Sequence, residues 1–283
     1  MADREGNDRG GIDELPPFSH TLHHWFMVWV RRMIRRQFHA LRLLDDRGPG
    51  RAWPAIGAAP VIFYTNHPGW WDPLVFFTVA DELWPERMNY GPIDAAALGR
   101  YRFLERIGLV GIEPGTRRGA ARFLRTARAA GRRGDVIFWV TAQGEFTDPR
   151  QRPMVLRPGV AHAALANGSG FVVPVAVEYP FWNERLPEAL VAFGDPMPMG
   201  RDGEGGATAE SWTALLAARL EATQDRLAAA ARRRDPSPFR TLIAGKAGVG
   251  GVYDVWRRLR AWSRGEAFDP SHGGGPPRLR GDA

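Results

Sequence analysis

Residues 61–80 read VIFYTNHPGWWDPLVFFTVA, and they decide the fold prediction. The apolar run Val61–Tyr64 predicts a short buried strand, and Pro73–Ala80 predicts the start of a helix. The residues between them form a strand-to-helix turn, which is where open α/β sheets build their binding crevices. His67 and Asp72 on this turn are a candidate base and the carboxylate that would orient it.

Beyond this stretch, short apolar runs alternate with helical patterns. Further strands are predicted at residues 87–90, 109–112, 135–141, 171–177 and 190–193. Helices are predicted at residues 94–106, 117–130, 158–167 and 209–234. Strands that alternate with helices predict an α/β fold, here a single domain over residues 45–234 with a largely parallel central sheet flanked by helices.

The chain before this domain has two parts. Residues 1–17 are polar and predict a disordered leader. Residues 18–44 predict an N-terminal amphipathic helix, which either lies in a membrane interface or packs against the domain. Its apolar stripe consists of Leu22, Trp25, Phe26, Trp29, Met33 and Leu41.

The chain after residue 234 changes character. Residues 235–264 form a basic C-terminal segment in which Trp256 and Trp262 stand among arginines. This segment is either a second interfacial element or a cover for the domain. Residues 265–283 are rich in glycine and proline and predict a disordered tail.

Composition narrows the classes of function. The chain has no cysteine, which excludes disulfides, thiolate metal sites and cysteine nucleophiles. Its net charge of +7 fits anionic partners, namely cofactor phosphates, anionic lipids or nucleic acid, and its 11 tryptophans fit either a membrane interface or a packed core. Because no apolar signal region and no run of about 18 apolar residues occurs, we expect peripheral association with the cytoplasmic face of a membrane.

Two common cofactor motifs are absent. Residues 244–247 read AGKA, which lacks the first glycine and the following Ser or Thr of a phosphate loop. No glycine-rich dinucleotide fingerprint follows the early strands, so no bound cofactor is expected. His67 and Asp72 are too few ligands for a metal site, and no third ligand stands out.

Several stretches together resemble one protein family. His67 and Asp72, with four residues between them, resemble the His-x4-Asp motif of the glycerolipid acyltransferase superfamily. That superfamily includes the glycerol-phosphate and lysophosphatidic-acid acyltransferases. The places of its second, third and fourth motifs are occupied by residues 108–118, 138–152 and 172–174.

The resemblance implies an O-acyltransferase that moves a fatty acyl group from acyl-CoA or an acyl carrier protein to a hydroxyl of a lipid-like acceptor, such as a lysophospholipid or a glycolipid. His67 would act as general base, and Asp72 would hold its other ring nitrogen. A membrane surface is an expected partner, and nucleic acid is not. The residues expected to contact substrates are Asn66, Trp70, Arg117, Gln143, Gly144, Glu145 and Arg150.

The third motif departs from the family pattern. It usually reads Pro-Glu-Gly-Thr-Arg, whereas residues 142–146 read AQGEF. Gln143 replaces the carboxylate, and Phe146 replaces the arginine expected to hold an acceptor phosphate. Arg117, Arg150 or Arg152 would bring a guanidinium back only through a different loop path. The resemblance therefore supports acyl transfer more than it supports a phosphorylated acceptor.

Other interpretations stay open. A lipid or thioester hydrolase would use His67 to activate water, and a non-catalytic membrane-binding protein would keep only the scaffold. Asp72 precedes Pro73 and also fits a helix N-cap. Backbone N–H groups near Gly144, or at the helix start, are candidates for stabilising an oxyanion.

Overall fold

The fold is described by a computed structural model, which covers residues 15–46 and 53–247. The predictions for residues 1–14 and 248–283 lie outside the described residues. A 3-10 turn spans Arg102–Ile107. The α-helices are α1 (His20–Gln37), α2 (Asp72–Leu83), α3 (Ala95–Arg100), α4 (Arg117–Ala130), α5 (Gly159–Ala166) and α6 (Ala209–Arg232). The strands are β1 (Ala40–Leu44), β2 (Val61–Thr65), β3 (Met88–Asp94), β4 (Leu109–Ile112), β5 (Val136–Thr141), β6 (Phe171–Glu178), β7 (Glu188–Phe193), β8 (Met197–Pro198) and β9 (Phe239–Ala244).

The described strands form one mixed, mostly parallel sheet of nine strands. Their order is β4-β3-β5-β2-β6-β7-β1-β9, and β8 pairs with β6 outside this path. Strands β4, β3, β5, β2 and β6 run parallel, so their carboxyl ends meet at one edge. The predicted α/β fold is thereby confirmed, and β2 has a parallel neighbour on each side.

Helices cover both faces of the sheet. Val61 and Phe63 of β2 pack into one core with α1 and α2, whereas Ile62 and Tyr64 pack into a second core with α4, α5 and α6. This alternation is the two-residue period of a strand. Because both faces are buried, the strand reads as an uninterrupted apolar run.

The N-terminal helix is shorter than predicted. It ends at Gln37, and residues 40–44 form β1, so the prediction of a helix over residues 18–44 is wrong after Gln37. Strand β1 lies between β7 and β9, with Leu41 and Leu43 fully buried. A short apolar run of this kind cannot be assigned to helix or strand from periodicity alone.

The C-terminal segment starts with a strand of the same sheet. Residues 239–244 form β9, which pairs antiparallel with β1, so the sheet extends on both sides of the predicted domain of residues 45–234. Part of the predicted leader is also ordered, because the Tyr90 hydroxyl donates to Pro16 O at 2.8 Å and Leu15 packs against the core. Within the described ranges, no helix combines the length and apolar character needed to cross a bilayer.

The helix predicted over residues 94–106 is divided in two. Helix α3 ends at Arg100, and the 3-10 turn follows after Tyr101. Gly99 stands in the last turn of α3, where its lack of a side chain weakens the helix. In contrast, α4 begins and ends at the predicted residues, Arg117 and Ala130.

Candidate active site

Asn66 fixes the turn that follows β2. Its Nδ2 donates to Val177 O at 2.9 Å, and its Oδ1 accepts from Val177 N at 2.9 Å. The side chain is fully buried, and both its amide nitrogen and its amide oxygen bond to the backbone of β6. The prediction that Asn66 contacts a substrate is therefore wrong. Its role is structural: it holds the next residue, His67, at the carboxyl edge of the sheet.

His67 and Asp72 form the hydrogen-bonded pair that the sequence predicts. His67 Nδ1 lies 2.6 Å from Asp72 Oδ2, at the first residue of α2. A carboxylate accepts, so Nδ1 carries a proton, and in the neutral imidazole Nε2 is then the nitrogen with the lone pair. Within the described ranges Nε2 has no hydrogen-bond partner, and it is not buried. The arrangement leaves one basic nitrogen free at the edge of the sheet.

Asp72 has two further donors. Gly69 N donates to Oδ2 at 3.1 Å, and the Tyr179 hydroxyl donates to Oδ1 at 2.6 Å. The carboxylate is fully buried, so three donors satisfy a group that would otherwise be costly to bury. Burial and the adjacent Asp72 charge raise the pKa of Tyr179 well above its usual value, which keeps this hydroxyl a donor.

The same contacts exclude the helix-capping role for Asp72. The N-cap of α2 is Trp71, and no side-chain hydrogen bond caps this helix. The carboxylate oxygens of Asp72 are occupied by His67, Gly69 and Tyr179 instead. The N-cap prediction is therefore wrong, and the position of Asp72 serves the histidine.

The loop after β5 holds the backbone of His67. Gln143 Oε1 accepts from His67 N at 2.8 Å, and Thr147 N donates to His67 O at 2.9 Å. Gln143 is only 9% exposed. The side-chain oxygen of Gln143 thus holds the backbone of the candidate base. This positioning role differs from the substrate contact that the sequence predicts for Gln143.

Gly144 shapes this loop through a left-handed backbone conformation, with φ of +71°. A Cβ atom at this position would lie 2.5 Å from Arg157 Nε, so the arginine side chain passes directly over the glycine. Gly144 N donates to Thr141 O at 3.1 Å and is not available to an oxyanion. In the described part of the chain, the N–H groups of Glu145 and Phe146 make no such bond.

Aromatic rings border the pair. The Phe146 ring centroid lies 4.6 Å from that of His67, although Phe146 itself is 63% exposed. On the other side, the Phe38 ring packs 5.1 Å from Trp71 and 5.6 Å from Tyr179. Trp70 is 62% exposed beside Trp71, and its predicted substrate contact stays a prediction. The site is thus polar at its centre and apolar at its border.

The predicted arginines do not converge on His67. Arg150 donates two hydrogen bonds to Asp148, from Nε to Oδ1 at 2.9 Å and from Nη2 to Oδ2 at 2.6 Å, and its side chain is 87% exposed. Arg117 begins α4 beside β4, which is three strand positions from β2, or about 14 Å. Glu145 is exposed on the loop. Sequence reasoning missed Arg157, whose guanidinium makes no hydrogen bond or ion pair within the described residues.

Arg150 also lines an open cavity of about 220 Å³ on the α6 side of the sheet edge. Arg152, Arg232 and Glu178 contribute to its wall, and burial raises the pKa of the Glu178 carboxyl. Arg152 is already bound to Asp225. The cavity therefore combines both signs of charge and does not form a cluster of free arginines.

Neither a metal centre nor a relative identifies the site. Among residues 15–46 and 53–247, no group of three or more His, Cys, Asp or Glu side chains could hold a metal ion. No protein-family model and no curated protein sequence matches this chain. The geometry of the residues around His67 is therefore the basis for any functional conclusion.

Proposed function

We propose that this chain is an O-acyltransferase that transfers a fatty acyl group from acyl-CoA or an acyl carrier protein to the hydroxyl of a lipid-like acceptor at a membrane surface. One observation carries the proposal. His67 presents a free Nε2 at the carboxyl edge of a mostly parallel sheet, while buried Asp72 and Tyr179 fix its other side. That is the arrangement of an oriented general base.

The nucleophile in this reaction is the acceptor itself. In the described part of the chain, no serine, threonine or tyrosine hydroxyl bonds to His67 Nε2, so no side chain is activated there. An incoming hydroxyl in that place would give its proton to Nε2 as its oxygen attacks the thioester carbonyl. Collapse of the tetrahedral intermediate breaks the C–S bond. The imidazolium then returns the proton to the departing thiolate, which leaves as a thiol.

The developing oxyanion needs donors close to the attacking oxygen. The N–H groups of Glu145 and Phe146 follow directly after the Gly144 turn, in the loop that contacts His67 through Gln143. Backbone N–H groups in such a turn stabilise oxyanions without needing to reorganise. We therefore assign this role to the loop after β5.

The borders of the site fit an apolar substrate. Phe146 packs on the His67 ring, and Trp70 stands exposed at the adjacent turn. Apolar walls exclude water from the reacting thioester and accept hydrocarbon. These contacts favour transfer to a lipid hydroxyl over transfer to water.

The test is a product assay with the purified full chain. Wild-type protein is given palmitoyl-CoA, or a palmitoylated acyl carrier protein, with and without a mixture of lysophospholipids, monoacylglycerol and glycolipids. We expect thiol release that requires an acceptor, together with one acylated lipid detected by mass spectrometry. Thiol release that yields only free fatty acid, with no dependence on acceptor, would establish a hydrolase instead. No release from either donor would overturn the proposal.

A further inference from the structure

Helix α1 carries apolar side chains on two faces, and only one of them is packed. Met27, Val30 and Ile34 are buried against the domain. On the outward face, Trp25 is 65% and Trp29 is 50% exposed. The packing alternative for this helix is thus confirmed for one face, while two large aromatic rings remain in solvent on the other.

A second element extends this exposed surface. Phe103, in the 3-10 turn, is 44% exposed, and its ring lies 6.4 Å from that of Phe26. Phe26 in turn packs 5.7 Å from Trp29, which joins the two elements through one aromatic cluster. We call Trp25, Val28, Trp29 and Phe103 the docking face. Its exposed aromatic and aliphatic groups are contiguous, unlike the single exposed apolar residues that are normal on soluble proteins.

The charge around the docking face is strongly positive. Helix α1 contains no acidic residue. Arg31 is neutralised by Asp81 and Glu82 of α2, at the inner side of the helix. The other arginines near the face are exposed and form no ion pair within the described residues. They are Arg32, Arg35 and Arg36 on α1, Arg100 at the end of α3, and Arg102 and Arg106 in the 3-10 turn, which also contains the partly buried Glu105.

We propose that the docking face binds the surface of an anionic lipid bilayer. Tryptophan rings are favoured at the bilayer interface because the ring is apolar and its N–H remains hydrated. Arginines around them are attracted to the negative potential of anionic lipids. A helix that lies flat with its rings inserted needs both features, and α1 presents them while its opposite face stays in the core.

The location of α1 connects this surface to the candidate site. Helix α1 is followed directly by Phe38, which packs on Trp71 and Tyr179 beside the catalytic pair. Trp25 lies about 18 Å from the end of the helix, given 1.5 Å per residue. A bilayer along α1 would therefore run beside the site turn and supply the lipid acceptor. This link rests on the proposed acyl transfer, but the binding itself does not.

The test measures co-sedimentation of the full chain with vesicles of phosphatidylcholine, alone or mixed with phosphatidylglycerol. We expect binding to the mixed vesicles, and about tenfold weaker binding for the double variant Trp25→Ser/Trp29→Ser. The control Val155→Ser/Phe181→Ser also removes two exposed apolar side chains, 70% and 64% exposed, and should bind as wild type. Because all four positions are exposed, melting temperatures should stay close to wild type.

A second pair of variants tests the charge. Arg32→Gln/Arg36→Gln should remove most of the preference for phosphatidylglycerol, a loss of about tenfold. Arg122→Gln/Arg125→Gln removes the same charge from exposed positions of α4, on the opposite side of the sheet, and should change little. His67→Ala should bind vesicles normally, so a failure of the acyl-transfer proposal leaves this test intact. Wild-type protein that stays in the supernatant, or docking-face variants that bind as wild type, would overturn the inference.

Discussion

Residues 15–46 and 53–247 contain two histidine–aspartate pairs, and the pairs differ in which imidazole nitrogen is left without a partner. His67 uses Nδ1 to contact Asp72 at 2.6 Å, which leaves Nε2 unburied and unpartnered within the described residues. His23 on α1 uses Nε2 to contact Asp81 on α2 at 3.3 Å, and its Nδ1 is buried without a partner. The His67 pair thus leaves Nε2 unpartnered and unburied, whereas the His23 pair leaves Nδ1 unpartnered and buried.

The surroundings explain the difference. His23 packs between Phe18 and Phe77, and Asp81 is shared with Arg31, so this pair joins two helices. His67 instead follows a strand, where its unused nitrogen meets the open edge of the sheet. A histidine beside a carboxylate is therefore not in itself a sign of catalysis. A catalytic role also requires that the imidazole nitrogen not bound to the carboxylate is accessible to a substrate.

Replacing each histidine with alanine should give the largest difference between the two pairs in turnover and in melting temperature. His67→Ala removes the proposed base, so we expect turnover to fall by about 10⁴-fold with little change in melting temperature. His23→Ala opens a gap between α1 and α2, so it should lower the melting temperature while folded protein keeps its turnover. Steady-state kinetics and thermal unfolding of both variants check this. Equal losses of turnover would remove the distinction between the pairs.

Asp72→Asn should have the next largest effect. An amide can offer Nδ1 either its oxygen or its N–H, so the imidazole is no longer held in the tautomer that keeps Nε2 free. We expect about a 10³-fold loss in kcat, measured with the acyl donor that supports wild-type transfer. If only the melting temperature falls, Asp72 has a structural role and the assigned mechanism is wrong.

Tyr179→Phe should have a smaller effect on the same pair. The variant removes the hydroxyl that donates to Asp72 Oδ1, and we expect about a tenfold loss in kcat. Because Asp72 then loses one of its three donors, it holds the His67 ring less firmly, so kcat should fall while KM for the acyl donor stays close to wild type. A purely structural role for Tyr179 would lower the melting temperature and leave kcat unchanged.

Asp81→Asn should show the smallest effect, and only in stability. Burial alone would raise the pKa of Asp81, but hydrogen bonds and charge from His23 and Arg31 lower it below its usual value. A lowered pKa stabilises the fold above about pH 4 and loses that contribution as pH falls through the folded-state pKa. At pH 7 the variant should melt about 2–4 °C below wild type. The difference in melting temperature between the variant and wild type should shrink as the pH drops below about 4. A difference that stays constant over that range would contradict a lowered pKa for Asp81.

The comparison also shows what sequence alone could predict. Strands such as β2 and β6 were predictable because burial on both faces makes their residues continuously apolar. Strands β1 and β9 were not, because their pairing joins distant parts of the chain. Arg42 and Thr241, which contact each other across that pair, are 199 residues apart in sequence.

Contacts in the candidate site also differ in whether the sequence could predict them. His67 and Asp72 are five residues apart on one turn, so their partnership could be predicted. Tyr179 lies 107 residues from Asp72, and Gln143 lies 76 residues from His67. Those contacts depend on strand order, which local patterns do not contain. For the same reason, Asn66 was interpreted as a substrate contact although β6 holds its side chain.

The hydrogen bond from His67 N to Gln143 Oε1 has a consequence for the charge around the imidazole. The bond requires only an acceptor, and a glutamate would serve as well as a glutamine. A glutamate would place a second carboxylate beside the His67–Asp72 pair. The neutral amide supplies the same positioning without that charge. Gln143 thus positions the His67 backbone while Asp72 remains the one carboxylate hydrogen-bonded to the imidazole among the described residues.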